Sequence, residues 1–392
     1  MREGVARLMA RCAAVVATTA VLSACGSDTV PTPAAFPHDS SLPAVDSASA
    51  AAAVIVDDSA PASTATYALH VIAADGHVLA SATPKRRAID LSGNTCVVAR
   101  LPVTSASSRR VFFLDGDATL SYLDPDGHTG ALRSLGGDAT TEVAFAVAAD
   151  ESRIAVVSVR RASGGGYHEE VRVQSLGGSV STTIFSRDTT VTGATQDEIS
   201  WPVGWNAGSV VLADGLPLPQ AGCHDPAPAT GYDLADPTTG AVRIHLCTTT
   251  ADAQPFGPPS AAGALCVAHD TTARPSQEVD TVQAWTGAAT PFSRSLCGQA
   301  GVLSPDGGHV AGTENVATGG ACGPGDGHVH VIATGGAATV TPVTGTALGW
   351  LDAHDVVVGV TGGTTILDVT AGAAHPSAAT GALEAILPPD LG

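Results

Sequence analysis

Ala300-Gly-Val-Leu-Ser-Pro-Asp-Gly-Gly-His-Val-Ala-Gly312 reads as an apolar strand, a polar turn over 304–308 and a second apolar strand. Proline sets φ and glycine supplies positive φ, so SPDGG closes a hairpin by local chemistry alone. Weaker copies occur at 144–158 (AFAVAADESRIAVVS), 203–214 (VGWNAGSVVLAD) and 348–359 (LGWLDAHDVVVG). The second strand after each such turn falls near Val111, Ile154, Val210, Cys266, Val310 and Val356, spaced by 43 to 56 residues. That period suits one four-stranded blade of a β-propeller. Each marker is followed by a further strand pair, such as Thr119–Leu123 with Gly130–Leu135, or Gly363–Val369 with Ala374–Thr380.

An additional hairpin, Tyr67–Ala73 with His77–Thr83, turns at Asp75-Gly76 ahead of these six units. With the apolar run Ala50–Val56 it makes most of another blade, or it closes the ring with the C-terminal strands. The run could equally be a greasy patch in a tether. The expected fold is all-β, a propeller of four-stranded antiparallel blades. Seven is the first choice of blade number, with six or eight as alternatives. The Pro-rich insertions 216–230 and 255–262 read as loops.

Arg2, Arg7 and Arg11 precede an apolar run from Cys12 to Leu22 that ends in Leu22-Ser-Ala-Cys25. A basic start, a short apolar core and small residues before a break define a secretory signal, and the core is too short to span a bilayer. The ending is similar to the bacterial lipobox, which implies lipid attachment at Cys25 and a membrane surface as the site of residence. The expected organisation is therefore a signal over 1–24, a lipidated Cys25 with an Ala/Ser/Pro-rich tether over 25–66, and a propeller over 67–385.

The chain carries 18 basic and 37 acidic residues, a net −19, and loss of residues 1–24 takes this to −21. An acidic surface repels phosphate backbones, which excludes nucleic acid as the expected partner. Lys85, Arg86 and Arg87 form a small basic cluster, read as a solvated loop. Once Cys12 is lost and Cys25 lipidated, Cys96, Cys223, Cys247, Cys266, Cys297 and Cys322 remain. An even count in an exported chain points to disulfides, and six cysteines allow fifteen pairings. Cys223 with Cys247 is the first guess, Cys266 with Cys297 the second, and Cys96 with Cys322 the remainder.

The LSPDGGHVAG stretch resembles the SPDG repeat of TolB-type and WD40-like bacterial propellers. The wider pattern (VFFLDGD at 111–117, WPVGW at 201–205, GWLD at 349–352) resembles exported actinobacterial propeller lipoproteins. The resemblance covers most of 65–385 and implies a fold and envelope partners, with no catalytic motif. The Trp-Asp dipeptide of WD40 blades is absent.

No GxSxG elbow, HExxH pair, Walker loop or dinucleotide fingerprint occurs. His328 and His330 lie two apart on a strand and so share one face, the best metal pair available, against a reading as solvent-facing residues alternating with core valines. Asp124-Pro-Asp-Gly127 resembles the start of a calcium loop, yet the twelfth position is Leu135, and turn chemistry accounts for it. Trp205 and Trp350 occupy matching positions after a glycine in two repeats, which favours a structural role. The expected protein is a monomeric, non-enzymatic binding or scaffold module at the outer face of the cell membrane, engaging an envelope protein or a small ligand without a cofactor. The alternative is an enzyme (hydrolase, lyase or dehydrogenase) with its site in the central channel.

Overall fold

A computed structural model describes residues 42–48, 50–58, 64–87, 100–162, 166–178, 180–189, 191–192, 195–196, 198–215, 229–247, 253–270, 277–292, 301–312, 317–318, 321–322, 327–334 and 338–387. Seven four-stranded antiparallel sheets form the seven blades of a β-propeller. In chain order, the first strands of blades 2 to 7 are Thr104–Ala106, Thr141–Val147, Ile199–Asn206, Ala253–Pro255, Val302–Leu303 and Thr346–Trp350. Blade 1 joins the chain ends: the C-terminal strand Ala382–Leu387 pairs with Ala52–Asp57, which pairs in turn with Ala68–Ala73 and then Val78–Ala82. The apolar run near residue 50 is thus a blade strand, and the propeller begins ahead of residue 67, where composition placed its edge. Ring closure through this sheet removes the two unpaired edges an open propeller would expose.

All six phase markers lie in the second strand of their blades, from Val111–Asp115 to Asp355–Val360. These strands are buried on both faces, which is why they read as unbroken apolar runs rather than alternating ones. Their side chains form clusters between neighbouring blades: one joins Val71 to Phe113, another joins Phe112 to Phe145, a third joins Ile55 to Val357.

The SPDGG turn is held as its residues dictate. Ser304 N donates to His309 O (2.8 Å), Gly307 N to Ser304 O (2.9 Å), and Ser304 Oγ to Asp306 Oδ1 (2.6 Å). Gly307 takes φ +71°. The same turn recurs at 148–153, with Ala148 N donating to Arg153 O (2.9 Å) and Asp150 Oδ1 accepting from Ser152. There Glu151 stands where Gly307 stands, at φ +61°, a strained position for a side chain. Glu151 is fully buried, and its carboxylate faces Arg110 Nε at 3.0 Å and accepts from Ser107 Oγ at 2.7 Å. Arg110, itself 1% exposed, also lies 3.4 Å from Asp124 and donates to Pro43 O at 2.7 Å. Residues 42–48 therefore run across the turn face of blade 2 and tuck Leu42 into the core beneath it.

Cys247 and Cys266 are disulfide-bonded, with Cα atoms 5.1 Å apart. This overturns both leading pairings, Cys223–Cys247 and Cys266–Cys297. Those treated each bridge as closing a hairpin within one unit. Cys247 instead directly follows the outermost strand of blade 4, Val242–Leu246, and meets the second strand of blade 5, so the bond joins two blades. Cys25, Cys96, Cys223 and Cys297 lie outside the described residues, and Cys322 is described only as part of a short strand, Ala321–Cys322.

Candidate functional site

The first strand of every blade contributes to the wall of a cavity of about 610 Å³ at the hub. Three of these strands carry a β-bulge. In blade 4 the pairing jumps from Pro202↔Leu212 to Gly204↔Val211, leaving Val203 as the extra residue. In blade 7 it jumps from Ala347↔Val358 to Gly349↔Val357, leaving Leu348. In blade 1 it jumps from Val54↔Ala385 to Ile55↔Leu383, leaving Glu384. All three extra residues line the cavity. A bulge re-aims a side chain that regular pairing would send elsewhere, so the fold has turned two apolar residues and one acid toward the hub.

The two apolar bulges share a sequence, Val203-Gly-Trp205 and Leu348-Gly-Trp350. The tryptophans clamp the neighbouring blade in the same manner: Trp205 Nε1 donates to Ala146 O (3.0 Å) and Trp350 Nε1 to Val302 O (2.8 Å). Their structural reading holds; the Trp285 indole also donates to a carbonyl, Ser260 O at 2.8 Å, but within its own blade. In blade 7 a Cβ on Gly349 would press on Leu383 Cδ2, so a larger residue there would displace the tip of a leucine that lines the cavity.

Glu384 is committed to the wall. Its Oε1 accepts from Arg100 Nη2 (2.8 Å), and its Oε2 accepts from Val103 N, Thr104 N and Thr104 Oγ1 at 3.0 to 3.1 Å. Burial pushes its carboxyl up and Arg100 opposes this. Arg100 also faces Asp58 at 3.5 Å, and Asp58 holds Arg86 at 2.5 Å. Arg87 meets Glu142 at 2.8 Å. Of the basic cluster at 85–87, Lys85 is exposed as a solvated loop would have it, whereas side-chain exposure is 6% for Arg86 and 22% for Arg87, because both are drawn into ion pairs at the ends of blades 1 and 3.

A second polar chain crosses blades 3 and 4. Buried Glu169 accepts from Arg187 Nε and from Ser200 N, both at 2.7 Å. Ser200 Oγ donates to Asp214, and Asp233 lies beside Asp214 while binding His245 Nδ1 at 2.6 Å. Arg187 and Glu198 complete the charged surroundings. Burial, then the neighbouring Asp233 charge, lifts the Asp214 carboxyl from its ordinary 3.8 to about 7. The folded protein then keeps a proton that the unfolded chain releases, so stability falls as pH rises from about 4 to about 7. Asp214→Asn, which mimics the protonated acid, is expected to raise the denaturation midpoint at pH 8 and leave it nearly unchanged at pH 4. Equal midpoints for parent and variant at pH 8 would refute this.

His328 and His330 sit in the third strand of blade 6, on either side of fully buried Val329. His330 is buried, 5% exposed, so it is no surface residue. The register shift beside them lies in the partner strand, Ala338–Thr344, where three residues stand opposite Val329. Among the described residues, the grouping of side chains close enough to share a metal is Asp124, Asp126 and His128, which includes neither histidine. Asp124 already faces Arg110, and the other two form an exposed turn pair. The residues sequence reading missed are Val203, Leu348 and Glu384. The repeated apolar-Gly-Trp triplet marks the positions of Val203 and Leu348 without revealing the bulge, and nothing local marks Glu384.

No family model matches the chain, and no curated protein matches it. Among solved structures, TolB from Acinetobacter baumannii is 13% identical with a TM-score of 0.40, over 75% of this chain and 64% of that one. The β-propeller domain of the Trilobed protease from Pyrococcus furiosus is 12% identical with a TM-score of 0.45, over 71% of this chain and 84% of that one. A puromycin-hydrolyzing peptidase from Mycobacterium tuberculosis is 13% identical with a TM-score of 0.46, over 83% and 53%. The chain thus spans under two thirds of the TolB structure. The propeller assignment rests on the seven sheets themselves.

Proposed function

We propose that this protein is an exported, lipid-anchored propeller that serves the cell envelope as a non-enzymatic binding module, with the hub as its binding surface. The observation that carries this reading is the hub cavity, about 610 Å³, whose one acid–base pair, Arg100 and Glu384, is spent on internal contacts. A propeller enzyme needs an acid, base or nucleophile free to meet a substrate in the channel. Glu384 is the one carboxylate among the described lining residues and has both oxygens engaged by protein donors, which weighs against the enzyme reading. The anchor rests on the Leu22-Ser-Ala-Cys25 ending, and the acidic balance turns the module away from nucleic acid.

The test has two arms. Cells fed an alkyne-bearing fatty acid should label the parent protein and hold it in the membrane fraction, whereas Cys25→Ala should lose both properties. In-cell crosslinking should then recover one saturable envelope partner or small ligand with the parent and lose it after reductive unfolding. Retention of the label in Cys25→Ala would sink the anchor, and catalytic turnover traced to hub residues would sink the non-enzymatic reading.

A further inference from the structure

The two apolar bulges give the hub a chemical preference. Val203, Leu348, Leu383 and Phe256 line the cavity and are each left partly exposed, whereas most other apolar residues on the strands of Val203 and Leu348 are buried. A regular ladder would have placed Val203 and Leu348 differently; the bulges spend a pairing position to put a branched aliphatic group at the hub from each side of the ring. Most of the polar groups around them are already engaged within the protein. Tyr232 donates its hydroxyl to Gly257 O at 2.8 Å, Trp350 gives its N–H to Val302 O, and Arg100 is neutralised by Glu384 with Asp58 close by. A charged ligand would have to break that pair to find a partner, at a buried acid bound by three further donors. The volume falls within the roughly 300–1,000 Å³ typical of cavities that enclose drug-sized molecules.

We infer that the hub is a binding site for an uncharged, predominantly apolar small molecule, held between the Val203 and Leu348 bulges. The inference rests on the hub being the binding surface, and adds to it the class of ligand. Ligand discrimination follows from the wall: apolar area is gained on contact, while an added charge is left without a partner.

The probes are phenylnaphthylamine, which is neutral, and its sulfonated analogue anilinonaphthalene sulfonate, which shares the aromatic body and adds an anion. The full-length parent should bind the neutral dye saturably at one per chain, with blue-shifted emission, and the sulfonated dye at least about tenfold more weakly. Val203→Trp, which fills the space, should weaken the neutral dye by about tenfold or more. Leu348→Phe, a smaller change, should weaken it in the same direction with the parent's circular dichroism retained. Absence of saturable binding by the parent, equal affinity for the two dyes, or unchanged binding in both folded variants would each overturn the inference. An envelope partner captured by a parent that binds no dye would leave the module reading standing and remove only the ligand class.

Discussion

Arg110→Ala is expected to cost about 3–5 kcal/mol of stability, read as a large drop in the denaturant midpoint. Arg110 is buried between Glu151, Asp124 and the Pro43 carbonyl, with its guanidinium 5.1 Å from the Tyr122 ring. Removal leaves buried Asp124 without its cation and Glu151 with only Arg109, 3.7 Å away, and burial already pushes the Asp124 carboxyl up in the presence of Arg110. It also releases the reason for Glu151 to hold a positive φ. Glu151→Gly should therefore cost less than Arg110→Ala, because glycine adopts that backbone without strain. Removing both partners, as Arg110→Met with Glu151→Gly, should cost less than the sum of the single changes. A midpoint shift of Arg110→Ala within that of a surface substitution would show that the network contributes little.

Trp350→Ala is expected to cost a similar amount, about 3–5 kcal/mol. The indole is 2% exposed, fills the space between blades 6 and 7, and satisfies the Val302 carbonyl. Trp350→Phe keeps most of the apolar volume and strands that carbonyl, so it should cost about 1–3 kcal/mol. Trp205→Phe should lose a comparable amount through the Ala146 carbonyl. The two changes lie in non-neighbouring blades, and their effects on the denaturation midpoint should add. A Trp350→Phe midpoint equal to the parent's would mean that the indole acts by volume alone.

The hairpins of this fold were legible because each is written in local chemistry. Ser304, Asp306 and Gly307 form their turn among themselves, and any chain containing them in that order has the same bonds available. The tryptophan clamps were legible by repetition. What depends on the ring was not. The closing strand Ala52–Asp57 is an apolar run like any other until its partner, some 330 residues away, is known. The Cys247–Cys266 bond follows from which blade abuts which, and hairpin spacing carries no such information. Glu151 meets Arg110 across a blade boundary, Arg87 reaches Glu142 of blade 3 in the same way, and Arg86 finds Asp58 at the far side of a blade whose strands the sequence does not pair. The bulges at Val203, Leu348 and Glu384 are register faults between strands, invisible in either strand read alone.

The N-terminal strap has a mechanical consequence. Residues 42–48 leave the turn face of the ring beside Arg110, and the next strand, Ala52–Asp57, runs inward from that face between Ala68–Ala73 and Ala382–Leu387. A force drawing the preceding chain away from that face is therefore directed along the strand. It loads both flanking ladders in shear, so that their hydrogen bonds resist together. A force across the strand would open them one at a time, like a zipper. The strap adds its own resistance ahead of the ladders, through Leu42 in the core, the Arg110 bond to Pro43 and the Ala48 amide on Ser108. The strand that closes the ring is also the one that would carry traction from an anchored N-terminus, and its position makes it hard to pull free.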